Sequence, residues 1–270
     1  MRTQTEKAQA FRALHARPGA FIIPNPWDAG TAKLLAAMGF EALATTSLGL
    51  ANTLGSVTVT LDAIIENCRV IAEATDLPVN ADLENCGAAD PKTAAKAITR
   101  AAEAGVVGGS IEDFSGDREK PLYDFSLAVE RVQAAVEAAR TLPFPFTLTA
   151  RAENFLHGRK DLDDTIKRLQ AFEAVGADVL YSPGLYDLAT IRTVVSSVSK
   201  PFNLVMGFAD PTLTLDQLSA AGVKRISVGG AMERYALAAF LKCAREMKER
   251  GAFTYVRDMA PIAEVRAAFR

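Results

Sequence analysis

The chain has 270 residues, 49% hydrophobic and 23% charged, enough to bury a large core in one α/β unit or barrel. With 30 basic residues against 32 acidic, the formal charge is −2, and no basic run or aromatic-interleaved patch marks a nucleic-acid partner, so a small-molecule ligand is expected. Cys68, Cys86 and Cys243 are odd in number, widely spaced and free of any C-x-x-C arrangement, which argues against a disulfide framework or zinc knuckle and for a reducing cytoplasm. The segment 1–18 is polar and charged, without the apolar centre of a signal peptide, and no apolar run is long enough to span a bilayer. A soluble protein with no membrane partner is expected.

A short charged helix opens the chain, residues 21–24 read as a strand, and Asp28 caps a helix beginning at Ala29. Residues 41–47 form the second strand, followed by a loop through Leu48-Gly49-Leu50 and a helix over 61–74. The stretch 79–85 supplies the third strand, and its helix over 91–104 starts after Asp90 with proline in the first helical position. Strand four covers 107–113 with a helix over 124–140, and strand five covers 146–153 with a helix over 162–175. Residues 177–181, 201–206 and 225–229 supply the last three strands, each followed by a helical stretch. Gly105, Gly176 and Gly222 stand where a helix ends just before the next strand. Eight βα units predict a closed (β/α)8 TIM barrel, a single domain over 1–270 with an N-terminal helix and a C-terminal helical extension.

Catalytic groups of such barrels lie at the C-terminal ends of the strands. Alternation along strand three sends Asn80, Asp82 and Glu84 to one side and Val79, Ala81 and Leu83 to the other. Two carboxylates so placed at the end of an apolar strand repel each other unless they face water or a cation, and a hard divalent ion with oxygen ligands answers the charge. A Mg2+ site is therefore expected, with Mn2+ as the alternative ion. Strand four adds Glu112, and strand five adds Arg151 and Glu153. Arg151 points into the barrel mouth, either ion-paired with Glu112 or Glu153 or gripping a substrate carboxylate with its fork; the two roles are compatible. A 2-oxo acid can chelate the ion, which then stabilises the enolate left when a bond at C3 breaks. The loop Thr46-Ser47-Leu48 offers backbone N–H groups for an oxyanion. Gly229-Gly230 reads as a tight turn rather than a phosphate nest.

Pro24-Asn25-Pro26-Trp27-Asp28-Ala29-Gly30, Ala44-Thr45-Thr46-Ser47, Asp82-Leu83-Glu84, Ile111-Glu112-Asp113, Ala150-Arg151 and Ser227-Val228-Gly229 together resemble the isocitrate lyase/phosphoenolpyruvate mutase superfamily over nearly the whole chain. The resemblance implies a barrel whose eighth helix is swapped between subunits, commonly in a homotetramer built as a dimer of dimers, with Mg2+ and a pyruvate enolate. It implies that Asp82 contacts the metal most directly and that Glu84 and Glu112 hold it partly through water. Arg151 and Glu112 are the expected catalytic pair, while Thr46, Ser47, Leu48, Arg151 and Asn203 are expected to bind the small carboxylate substrate.

Two departures qualify the activity. The Lys-Lys-Cys-Gly-His segment of the isocitrate and methylisocitrate lyases is replaced after Glu112 by Phe114-Ser115-Gly116-Asp117-Arg118-Glu119-Lys120. The aspartate that mutases carry soon after Leu54-Gly55 is Thr58 or missing. Cys86 is read as an incidental loop residue rather than a catalytic thiol, His15 as structural or exposed, His157 as a plain loop residue or an acid/base group at a closing loop, and Lys120 as a flexible loop residue able to approach a bound ligand. The expectation is a Mg2+-dependent lyase that cleaves a C–C, or P–C, bond of a small 2-oxo or 2-hydroxy carboxylate. The alternatives are a phosphonomutase or phosphonopyruvate hydrolase-like enzyme, and a barrel that binds a metabolite without turning it over.

Overall fold

The computed structural model describes residues 2–270. Its strands are β1 (Phe21–Ile23), β2 (Leu43–Ala44), β3 (Val79–Asp82), β4 (Gly108–Glu112), β5 (Thr147–Arg151), β6 (Val179–Tyr181), β7 (Phe202–Val205) and β8 (Arg225–Ser227). All pair in parallel, in the order β1-β8-β7-β6-β5-β4-β3-β2. The two ends of that order meet where the Ala44 N–H donates to the Pro24 carbonyl at 3.0 Å. This is the expected (β/α)8 barrel.

The helices are α1 (Gln4–Ala16), α2 (Ala29–Ala37), α3 (Ser47–Thr53), α4 (Leu61–Glu73), α5 (Pro91–Glu103), α6 (Phe125–Arg140), α7 (Leu162–Ala174), α8 (Leu188–Ser196), α9 (Leu215–Ala220), α10 (Ala231–Arg250) and α11 (Ile262–Ala268). Local chemistry sets their starts. Asp28 and Asp90 each accept a hydrogen bond from the N3 amide of the helix they precede. Small apolar stripes set their packing: Ala94, Ala97, Ile98 and Ala101 of α5 are buried beside Ala128, Val132, Ala135 and Ala139 of α6, so the two helices approach closely. Gly105, Gly176 and Gly222 all take positive φ at the turn back into the sheet.

Two local expectations are corrected. The stretch expected as a loop at Leu48-Gly49-Leu50 is the body of α3, because Thr46 caps it, its hydroxyl accepting from the Gly49 amide at 3.3 Å. Strand β3 ends at Asp82 rather than running through Glu84. There the Asp82 N–H turns to the Thr45 hydroxyl (2.8 Å), a turn closes from the Cys86 N–H to the Leu83 carbonyl (2.8 Å), and Glu84 sits at φ 50°. Strand alternation therefore does not aim Glu84; a left-handed residue does.

The floor of the barrel is plugged by Phe11 of α1, which is fully buried. Gly108 permits this approach, since a Cβ there would lie 2.8 Å from Asn80 Oδ1 and 3.0 Å from the Phe11 ring. The opposite end stays open. Helix α10 leaves the barrel after its first turn, and most of its residues are exposed. No helix among the described residues is long and apolar enough to cross a membrane.

Candidate active site

A cavity of about 440 Å³ lies at the C-terminal ends of the strands. Its lining includes every residue assigned to the site from sequence: Thr46, Ser47 and Leu48 from the start of α3, Asp82 from the end of β3, Glu84 from the turn after it, Glu112, Arg151 and Asn203. A cleft of about 740 Å³ at the other end of the barrel carries cations such as Arg12 and Lys200, but none of the carboxylates of the upper site.

Arg151 organises the cavity. Its Nη1 donates to Asp82 Oδ1 at 2.9 Å, its Nη2 meets Glu112 Oε2 at 3.1 Å, and its Nε donates to Glu153 Oε1 at 2.8 Å. The guanidinium also lies 4.9 Å from the centre of the Tyr181 ring. Register brings these groups together, because Glu112, Arg151 and Tyr181 are successive partners across β4, β5 and β6. The ion pairs weighed from sequence, to Glu112 and to Glu153, are both formed.

Four carboxylates surround this one cation. Burial opposes the Arg151 charge, but Glu112, Glu153 and Asp82 outweigh it and hold its pKa well above the ordinary guanidinium value. Burial drives the Glu112 carboxyl well above the usual range; Arg151 works against that, while Glu153, Asp82 and Glu84 add to it. Glu84 is raised by burial and by Asp82, with Ser47 and Arg151 opposing. The site holds more negative charge than its guanidinium balances.

Ser47 gives both its amide (3.0 Å) and its hydroxyl (2.9 Å) to Asp82 Oδ2. Leu48 packs on Gly230, where a Cβ would come within 2.8 Å of its Cδ2, so that glycine is required for the approach. Asn203 is buried, accepts from Arg225 Nε at 2.7 Å and donates to Ser227 Oγ at 3.1 Å. Gly229 does lie in a turn: its N–H and that of Val228 both donate to Asn25 Oδ1 at 2.9 Å, so neither is free for a phosphate. Cys86 is fully buried, and burial pushes its thiol up to about 12. Lys120 stands at the surface, paired with Asp124 at 3.1 Å. His15 lies at the barrel floor, where burial and then Arg225 take its pKa down to about 3.

Several residues that shape the site were not singled out from sequence. Arg131 of α6 is fully buried and donates to the main-chain carbonyls of Glu112 (2.8 Å), Ala88 (3.2 Å) and Asn85, tying the turn after β3 to the end of β4. Arg168 of α7 donates to Asp113 Oδ2 at 3.0 Å, and Asp113 Oδ1 accepts the Glu153 amide at 2.8 Å. The available signal was an arginine on the apolar face of each helix, beside Val132 on α6 and beside Leu169 on α7. Tyr181, beneath the guanidinium, carries no comparable signal in its sequence neighbourhood.

Among the described residues, no three His, Cys, Asp or Glu side chains gather closely enough to form a metal cage by themselves. Arg151 lies between Asp82 and Glu112 and takes the place a cation would have there. The donor set still suits Mg2+, which keeps several waters and needs only one or two direct carboxylates. Asp82 would be the direct ligand, with Glu84 and Glu112 acting through water, and the excess of buried negative charge is the feature that fits such an ion.

Comparison with known proteins gives one coherent group. The phosphoenolpyruvate phosphomutase family matches residues 11–248. A provisionally named lyase/mutase from Burkholderia cenocepacia J2315 has a crystal structure that superposes with a TM-score of 0.96 at 55% identity, covering 98% of this chain and 96% of that one. An oxaloacetate decarboxylase from Marinomonas sp. strain MWYL1 is 28% identical over 256 residues, 91% of this chain and 87% of that protein. The 2-methylisocitrate lyase of Escherichia coli K12 is 29% identical over 244 residues, 86% of this chain and 79% of that protein. The chain belongs to the phosphoenolpyruvate phosphomutase family, within the isocitrate lyase/phosphoenolpyruvate mutase superfamily of lyases and mutases that act on small carboxylates.

Proposed function

We propose that this protein is a divalent-metal-assisted lyase that breaks the bond to C3 of a small 2-oxo dicarboxylate of the oxaloacetate type, leaving a pyruvate-type enolate. The observation that carries this reading is the Arg151 cluster: a guanidinium fork and an excess of carboxylate charge in a cavity whose lining contains no cysteine and no lysine. A retro-aldol cleavage needs a base to take a hydroxyl proton before the bond breaks, whereas decarboxylation needs none. The absence of a thiol therefore favours decarboxylation, in keeping with the oxaloacetate decarboxylases among the relatives.

Asp82, Glu84 and Glu112 would hold Mg2+ or Mn2+. Bound there, the ion supplies Lewis acidity for the negative charge that develops on the keto oxygen. With such an ion held by Asp82, Arg151 would be free to grip a substrate carboxylate, and the Ser47 amide and hydroxyl would serve as donors for the same group. Asn203, fixed by Arg225, offers its remaining polar edge to the ligand from the cavity wall.

The exposed α10 supports a homo-oligomer in which a second copy covers this helix, as in a helix-swapped dimer or dimer of dimers. Tyr235 is 81% and Phe240 66% exposed on it, and an apolar surface of that extent in one helix calls for a partner.

Purified protein with Mg2+ should release pyruvate from oxaloacetate, tested beside substituted malates, methylisocitrate and phosphonopyruvate. Asp82→Asn should abolish both turnover and metal-dependent oxalate binding by calorimetry. Release of pyruvate from phosphonopyruvate alone would favour the P–C chemistry of the family's phosphomutases. Oxalate binding without turnover of any compound would leave a metabolite-binding barrel instead.

A further inference from the structure

We infer that His157 is the acid that delivers a proton to C3 of the enolate, oriented for that task by Glu153 and Phe114. The inference rests on the lyase reading above and assigns the proton donor which that reading leaves open. His157 lines the same cavity as Asp82 and Arg151. Its ring is stacked on Phe114 with centroids 3.8 Å apart and planes within 5°, and its Nε2 faces Glu153 Oε2 at 3.5 Å. That carboxylate oxygen is buried and has no hydrogen-bond partner of its own, while Oε1 of the same group is held by Arg151. A buried carboxylate oxygen with no other partner, facing Nε2, orients the ring through that nitrogen. The other nitrogen, Nδ1, makes no hydrogen bond among the described residues, and the ring lines the cavity.

Elimination points the same way. Asp82, Glu84 and Glu112 are ionised whenever they hold a cation and then cannot donate. Glu153 is tied to Arg151, and Tyr181, mainly through burial, holds its proton more tightly than a free phenol. Arg225 is a buried guanidinium bonded to Asn203 and Thr149. His157 is the one imidazole of the lining, and imidazole is the side chain suited to giving and regaining a proton near neutrality. In the step, the C3–C4 bond breaks, CO2 leaves, and the electron pair enters the C2–C3 enolate. The imidazolium Nδ1–H then passes its proton to C3 as the C2 carbonyl re-forms, and water reprotonates the ring.

Stereochemistry tests this separately from activity. With 3-methyloxaloacetate in D2O, the 2-oxobutyrate formed is reduced at once by a lactate dehydrogenase with NADH, which locks the deuterium at C3 for NMR. Wild type is expected to give one C3 configuration. The 2-oxobutyrate formed by His157→Gln and His157→Ala should carry both configurations equally, because the enolate leaves the site unprotonated. Retention of a single configuration by both variants overturns the role of His157 and leaves the lyase reading standing. Absence of CO2 release by the wild type from oxaloacetate and from its 3-methyl derivative overturns the lyase reading and this inference with it.

Discussion

Replacing Arg151 by methionine removes the only guanidinium among Asp82, Glu112 and Glu153 while nearly keeping the side chain's apolar length. Three contacts of 2.8–3.1 Å are lost at a group whose side chain is 12% exposed, and two of its partners, Glu112 and Glu153, are 7% and 1% exposed. Breaking a buried pair on one side costs about 3–5 kcal/mol, which at this chain length lowers the melting temperature by roughly 6–20 °C. The loss should depend on pH. Without Arg151 the Glu112 and Glu84 carboxyls, already raised by burial, are raised further above their unfolded values, so the folded state binds protons that the unfolded state does not. The variant's deficit is then smallest below the ordinary carboxylate range and grows as pH rises through the raised folded values. Urea unfolding of Arg151→Met and wild type across that range measures it, with Arg151→Lys, which keeps the charge without the fork, expected to recover part of the loss. A deficit below about 1 kcal/mol at neutral pH would refute the reasoning, because such a value belongs to an exposed pair.

Asp113 provides a second pH probe: burial raises its carboxyl to about 6 despite the opposing Arg168. A folded pKa above the unfolded one means that this residue's contribution is greatest below about pH 4 and is lost as pH rises to about 6, so Asp113→Asn should flatten that part of the stability profile in denaturant titrations. Cys86→Ala should leave turnover unchanged, since its thiol is fully buried and raised to about 12; an inactive but folded variant would place the thiol in the chemistry. Phe240→Asp on the exposed face of α10 should yield a smaller species than wild type in light scattering, and identical masses would remove α10 from any interface.

Much of this protein is legible in the order of its residues. Capping aspartates such as Asp90, the glycines that turn each helix back toward the sheet, and short apolar strands at regular spacing are local signals, and they determine eight βα units and hence the barrel. The placement of Asp82, Glu112 and Arg151 at its mouth follows, because strand ends in such a barrel converge. Tertiary structure decided what local pattern does not encode. Glu84 enters the cavity through a left-handed turn rather than strand alternation, and Leu48 reaches the cavity wall where it packs on Gly230, far along the chain. Arg131 and Arg168 reach across from α6 and α7 to pin the turns that carry the carboxylates, which depends on helix packing. The union of three carboxylates on one guanidinium is a matter of register between strands, and register is fixed by contacts between residues far apart in the chain.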